Sequence, residues 1–317
     1  MKIGWIGFHI EGLKSLQAVL QKGYHIDALI TLKPEKAALK SGAADYSSLC
    51  YQYSLPIYYV DSINSNDSYN LLKDLSLDVA FVIGWSQIIK PDILGTIKIG
   101  MIGAHASLLP HNRGSAPINW ALIRGETKTG NSLIWLADGV DKGDIISQTV
   151  IPITPYDTCE TLYEKVAESN KEMILHLLPQ LLQGQKPGQL QGHTDEPVLP
   201  RRRPEHGRIN WMQENKNVYN FIRALTRPYP GALSWLAGNP WIIWHSALLP
   251  GVPFPGAIPG EIVGHLISPV EAACGQIVAC GSGAIVVLEL QSMDGIILKG
   301  HTLSDQRWKG KVWENET

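Results

Sequence analysis

Apolar runs and helically spaced apolar positions alternate through the first half of the chain. Residues 2–8 (KIGWIGF) suit a strand, residues 11–22 repeat apolar positions at helical spacing, and residues 26–32 suit a second strand. Residues 56–60 predict a short strand, and a helix around 68–75 leads into residues 78–84. The core of that run, VAFVI, has the continuous hydrophobicity of a strand covered on both faces. Three more strands are expected at 99–104, 132–137 and 145–151, followed by a long amphipathic helix at 159–182. This order predicts an α/β domain, a Rossmann-like parallel sheet with helices on both faces. The pattern then stops. Residues 184–204 (GQKPGQLQGHTDEPVLPRRRP) are rich in Gly, Pro and polar residues and read as an exposed linker. Beyond it come one helix at 216–225 and short strands at 232–236, 241–246, 260–266, 276–279 and 284–290, which suggest a small barrel or sandwich. The expected division is a domain at 1–190, a linker at 191–204 and a smaller β-rich domain at 205–317, with no internal repeat.

Length agrees with two domains, because 317 residues exceed what one core commonly fills. Charge narrows the partners. The net charge is −2, and residues 201–317 carry 11 Lys and Arg against 9 Asp and Glu. Neither half has the basic surplus that phosphate neutralisation requires, which argues against DNA and makes tRNA a weaker expectation than a small molecule. No apolar run reaches the roughly 18 residues of a spanning helix, and the start reads as a strand with no signal-peptide pattern, so no membrane partner is expected. Cys50, Cys159, Cys274 and Cys280 lie far apart without CxxC or His-rich neighbours. They read as reduced structural thiols of a cytoplasmic protein, with no metal site.

The glycines of the first loop, Gly4, Gly7 and Gly12, lack the GxGxxG spacing of a dinucleotide fingerprint and read as a tight strand-to-helix turn. The informative stretch is residues 103–120, GAHASLLPHNRGSAPINW. It leaves the C-terminal end of a predicted strand, where ligands bind in open α/β sheets, so His105 is expected to face a crevice. A second strand exit, ADGVDKGDI at 137–145, sets Asp138, Asp141 and Asp144 among glycines. A carboxylate beside an imidazole can orient it for proton transfer. Asp138 and Asp144 also suit ordinary turn chemistry.

HASLLPxxRGxxPI followed by GxDxGDI, with 36 positions from His105 to Asp141, resembles the folate-dependent formyltransferase family. That family includes methionyl-tRNA formyltransferase, sugar N-formyltransferases and the formyltransferase domain of the 4-amino-arabinose lipid-modification enzyme. MKIGWIGFHIEGLKSL is similar to the opening of the sugar branch. RRRPEHGRINW and FIRALTRPYPGALSW are similar to the start of the family's C-terminal OB-like domain. The resemblance implies transfer of a formyl group from N10-formyltetrahydrofolate to a primary amine. A nucleotide-linked amino sugar is the first expectation. Alternatives are methionyl-tRNA, another small amine or peptide, a formyltetrahydrofolate hydrolase, or a folate-binding homologue with impaired catalysis; a homodimer is left open.

The family's Asn-x-His pair and distant Asp fall on Gly103, His105 and Asp141, so His and Asp match while Gly103 stands where the family has Asn. Losing one oxyanion donor costs about 10²–10³ in rate, so protonated His105 is expected to act as donor with a backbone N–H near Gly103 or the amide of Asn112 or Asn119. For folate, the resemblance implies Gly84, Trp85 and Ile88 after the central strand, Ser107, Leu108, Leu109 and Pro110 in the His105 loop, and Asp138, Gly139 and Val140 in the second exit. Asn112, Arg113 and Gly114 are the expected acceptor contacts, with Arg113 able to clamp an anion. Arg201, Arg202 and Arg203 read as a solvated face, and the many tryptophans after residue 204 chiefly as buried structural residues.

Overall fold

Two units, each with its own sheet, divide the chain in a computed structural model that describes residues 1–314. The first comprises Met1–Pro117, Lys128–Pro152 and Thr161–Arg201. The second takes Ile118–Thr127, Ile153–Glu160 and everything from Arg202 onward.

In chain order the first part of the molecule contains β1 (Ile3–Ile6), α1 (Ile10–Gln21), β2 (Ala28–Leu32), α2 (Pro34–Ala37), α3 (Ser47–Gln52), β3 (Ile57–Val60) and α4 (Asn66–Leu75). Then follow β4 (Val79–Val82), α5 (Pro91–Leu94), β5 (Gly100–His105), α6 (Pro117–Ile123), β6 (Lys128–Trp135), β7 (Ile145–Pro152) and α7 (Cys159–Leu182). The seven strands lie in the order β3-β2-β1-β4-β5-β6-β7. Strands β1 to β5 are parallel, but β6 runs antiparallel to β5, and β7 to β6. The expectation of a parallel sheet therefore needs this correction at one edge. For β7 the cause is visible: residues 136–144 form a loop too short for a crossover helix, and a short loop returns the chain antiparallel to β6.

Alternation along the strands makes two apolar faces. Trp5, Leu29, Phe81 and Ile102 point to one side, where Ile174, Leu177 and Leu178 of α7 cover them. Ile6, Ile30, Ala80 and Met101 point to the other, against Ile63, Leu72 and Ile93. Full burial stabilises each large apolar side chain by about 1.5–3 kcal/mol, enough to fix a one-residue register against slippage. Between β1 and β4 the strand order reverses direction, so a crevice opens at their C-terminal ends.

The second unit contains α8 (Asn215–Leu225) and antiparallel strands β8 (Ala232–Leu236), β9 (Asn239–Leu249), β10 (Ile262–Leu266), β11 (Gly275–Ala279), β12 (Ala284–Ser292), β13 (Ile297–Lys299) and β14 (Trp313–Glu314). The order β10-β11-β12-β9-β8-β14 curls on itself. Glu261 bridges Val312 antiparallel, and Trp313 N–H donates to Gly260 O at 2.8 Å, so the two edges meet and the sheet closes into a barrel. Trp211, Trp313, Ile222, Ile243 and Val287 fill it. Trp211 and Trp313 are fully buried and Trp244 nearly so, while Trp235, Trp241 and Trp308 are half-buried. The four cysteines are buried free thiols. No helix among the described residues is long and apolar enough to cross a membrane.

Candidate active site

β5 ends on His105, and the loop after β6 carries Asp141; these strands are adjacent, so the two residues approach although 36 positions separate them. His105 Nδ1 lies 3.5 Å from Asp141 Oδ2, with the two side chains 9% and 24% exposed. The other ring nitrogen, Nε2, is 2.8 Å from Asn112 O. A carbonyl only accepts, so Nε2 carries a hydrogen there, and Nδ1 faces the carboxylate. A proton placed on Nδ1 completes an ion pair with Asp141. The carboxylate is itself held by Gly114 N–H, which donates to Oδ2 at 2.9 Å.

Local backbone explains how Asp141 reaches this position. It adopts φ +51°, a left-handed conformation that Asp tolerates better than most residues. Two residues on, a Cβ added to Gly143 would sit 1.5 Å from Trp135 O, so only glycine allows the turn to fold back onto β6. Gly143→Ala is expected to lower the melting temperature by several degrees and to cost activity as well, since relief of the overlap moves Asp141. Thermal unfolding followed by circular dichroism, alongside an activity assay, checks this; an unchanged midpoint and rate would contradict the packing described.

Gly103 lies inside β5, opposite Ile134. Its missing side chain is matched by Leu136, whose Cδ2 would be 2.5 Å from an added Cβ. Leucine therefore occupies the room a side-chain amide would need, and this strand offers no donor there. Of the two asparagines expected as substitutes, Asn119 is excluded. It is fully buried, and its amide is taken up by Ala224 O and, at 3.5 Å, Cys159 Sγ, to which it donates. Asn112 lies beside His105, to which it presents its carbonyl.

The expected anion clamp is committed elsewhere. Arg113 Nε and Nη2 donate to Gln191 Oε1 at 3.2 and 2.9 Å, and the Gln191 amide in turn donates to Asp141 O and Gly143 O, both at 2.7 Å. Sequence reasoning missed Gln191, and with it the role of the polar stretch 184–204 as a strap. Within it Gln189 pairs with Ile145, Glu196 accepts from Asn112 N–H at 3.2 Å and meets His111 Nδ1 at 2.6 Å, and Leu199 bridges Gly114. No periodicity marks such a strap, because its bonds come from isolated polar side chains and single backbone bridges.

Of the residues expected to meet folate, Ser107 and Leu109 are buried. Ser107 Oγ donates to His111 O, and Leu108 packs on Gly130. Leu109–Pro110 is a cis peptide. Asp138 and Gly139 are exposed, Val140 and Gly84 half-buried, and Ile88 is 69% exposed. Trp85 stands edge-on to Phe8 at 5.5 Å, and its indole N–H is buried with no partner among the described residues. Such an orphan donor is costly to leave unmade and suits a ligand acceptor.

A second buried pair, also missed, lies at the crevice. His9 caps α1, accepting from Glu11 N–H at Nδ1, and its Cβ is the atom nearest an added Cβ on Gly84. Burial lowers the imidazole to about 4 and raises the Glu11 carboxyl to about 8. Glu11 Oε1 has no partner. Period-3.6 reading marked only the apolar side of α1, and a helix-start acid ordinarily faces solvent. No group of three metal-ligating residues occurs among the described residues.

The chain thus combines a doubly wound sheet, with a His–Asp pair beyond the end of β5, and a small antiparallel barrel. Family models match both parts: "Formyl transferase" over residues 13–178 and "Formyl transferase, C-terminal domain" over residues 202–307. The chain belongs to the formyl transferase family. Among solved structures it is similar to HypX from Aquifex aeolicus in complex with tetrahydrofolic acid, at 18% identity and TM-score 0.64, covering 94% of this chain and 46% of that one. The chain thus spans about half the length of the HypX chains it matches. It is also similar to WlaRD, a sugar 3N-formyl transferase crystallised with dTDP and 5-N-formyl-THF (18% identity, TM-score 0.64, 93% and 99% coverage). A third is the N-formyltransferase from Helicobacter canadensis with folinic acid and dTDP-3-aminofucose (17%, TM-score 0.63, 90% and 98%). At these identities the likeness is one of fold.

Proposed function

We propose that this chain transfers the formyl group of N10-formyltetrahydrofolate to the primary amine of a nucleotide-linked amino sugar. The observation that carries the reaction is the His105–Asp141 pair at the end of β5, in a chain of the formyl transferase family. Structures of similar fold were crystallised with folates, and two of them with dTDP or a dTDP-amino sugar over nearly their whole length, which supports the class of acceptor. Trp85, with its orphan N–H, and the Leu108–Pro110 loop supply a donor and apolar surface suited to a pterin.

In the reaction the neutral amine nitrogen attacks the formyl carbon, and the C–O double bond opens to an oxyanion. The hydrogen on Nε2 shifts to Nδ1, beside Asp141, as Nε2 leaves Asn112 O; Nε2 of His105 then takes the proton lost by the amine nitrogen, and Asp141 balances the imidazolium. The same proton passes to N10 as the C–N10 bond breaks, so tetrahydrofolate leaves neutral at that nitrogen and the N-formyl product is released. With Gly103 bare and covered by Leu136, the imidazolium is the donor this loop can turn toward the oxyanion, once it gives up Asn112 O.

The test is to incubate the protein with N10-formyltetrahydrofolate and a panel of dTDP- and UDP-linked amino sugars. The expected result is a product heavier by one carbonyl unit, formed only when folate carries formyl. Formylation of no amine, or of methionyl-tRNA alone, would overturn the acceptor assignment.

A further inference from the structure

The second unit holds a cavity of about 950 Å³ that formyl transfer in the first unit does not use. We propose that it is a separate binding site for a glycoside ring, neutral or amine-bearing. All its lining residues belong to the second unit, so this reading stands without the one given above for His105.

One wall is aromatic. Tyr219 donates its hydroxyl to Pro155 O at 2.6 Å, which fixes the ring, and Tyr156 beside it is 87% exposed. Arg223 covers one face of Tyr219 at 5.3 Å, so the exposed ring of Tyr156 is the apolar surface with a polar rim on which the C–H face of a pyranose can lie. The opposite wall comes from β9 and β12, and there the sheet is distorted. Between Val287 and Glu289 the register against β9 shifts, leaving Leu288 as an extra residue. In a regular strand successive side chains point to opposite faces, yet Leu288 and Glu289 both line the cavity, as do His245 and Ser246 of β9. The bulge thus brings an apolar and an acidic side chain to one opening.

The polar groups there are short of partners. Ser246 Oγ is buried without one. Among the described residues the Glu271 carboxylate and the His245 ring have no hydrogen-bond or ion-pair partner, and Glu289 engages only its Oε1, with Arg227 at 3.3 Å. Acceptors therefore predominate: the Glu271 carboxylate, the Glu289 carboxylate already paired with Arg227, the hydroxyls of Ser246, Thr158 and Tyr156 and an imidazole line the cavity with a single ammonium, Lys299. A ligand rich in O–H or N–H donors satisfies that set, and a protonated amine forms charge-assisted bonds to Glu271. A diphosphate would instead meet carboxylates, with one lysine to offset them. The volume also suits one or two sugar rings with water.

The 317-residue chain is titrated with methyl glucoside, methyl glucosaminide and dTDP, followed by ligand-observed NMR, for the parent, Tyr156→Ala, Glu271→Gln and His105→Ala. Both glycosides are expected to bind in the millimolar range, the glucosaminide more tightly. Tyr156→Ala should weaken both by roughly tenfold, a loss of the size one good contact commonly carries. Glu271→Gln should erase the advantage of the amine, and His105→Ala should change neither. Thermal midpoints within a degree or two of the parent ensure that folded proteins are compared. Absence of glycoside binding, binding indifferent to Tyr156→Ala and Glu271→Gln, or dTDP binding that Tyr156→Ala abolishes would each overturn the proposal. Loss of formyl transfer in His105→Ala bears only on the first unit.

Discussion

His105→Ala is expected to lower formyl transfer by about 10²–10⁴-fold in single-turnover assays, the range a positioned general acid–base commonly contributes. Folate binding should persist, because the side chain is largely buried behind the loop and no expected pterin contact runs through it. Asp141→Asn should act in the same direction. It removes the charge opposite Nδ1 while keeping an acceptor for Gly114 N–H, so the loop stays folded and the rate falls. The pair should be markedly non-additive: once the imidazole is gone, the carboxylate has no proton to balance. A His105→Ala protein that turns over at the parental rate would remove the imidazole from the mechanism, whatever the fate of the acceptor assignment.

Alkaline destabilisation is the second large effect, and Glu11 is its source. Burial raises its carboxyl from 4.5 to about 8, so between those values the folded protein keeps a proton that the unfolded chain has lost. The stability this group contributes is complete below pH 4.5 and disappears as pH rises toward 8, a change on the order of 5 kcal/mol at 1.36 kcal/mol per unit. His9 has the opposite slope. Lowered from 6.5 to about 4, it binds its proton in the unfolded chain first, so stability is lost as pH falls below 6.5. Their slopes oppose each other between pH 4.5 and 6.5 and should leave a plateau, followed by a loss of about 2 kcal/mol from 6.5 to 8 as Glu11 acts alone. Glu11→Gln, which mimics the protonated acid, is expected to abolish the alkaline fall and to exceed the parent by a few kcal/mol at pH 8. Urea denaturation across this range measures it; an identical alkaline slope in parent and variant would show that Glu11 ionises freely.

The strands and long helices were legible because their apolar periodicity is also their burial pattern. VAFVI is buried throughout β4 and its exit, and the helix expected at 159–182 is α7. The direction of β6 and β7 was not legible, since a half-apolar strand looks the same whichever way it runs. Closure of the barrel was equally hidden. It depends on Glu261 meeting Val312, a pairing between residues that carry no mutual signal.

At the site, His105 and Asp141 stood out as polar residues at strand exits, where the chain has few structural reasons to place them. The fate of Arg113 did not, because an arginine that binds a glutamine 78 residues away cannot be told from one awaiting an anion. Leu136 opposite Gly103 was similarly invisible. A small residue and a large one compensate in space, and sequence shows only the small one.

The strap has a practical bearing on chimeras. Because Gln191 holds the Asp141 loop, Glu196 holds Asn112 and Leu199 bridges Gly114, the stretch between the two modules is neither slack nor interchangeable up to that leucine. A graft that swaps the barrel for another should be spliced after Leu199; one cut at Gly184, where composition alone would place it, would carry off the buckle that keeps Asp141 in register.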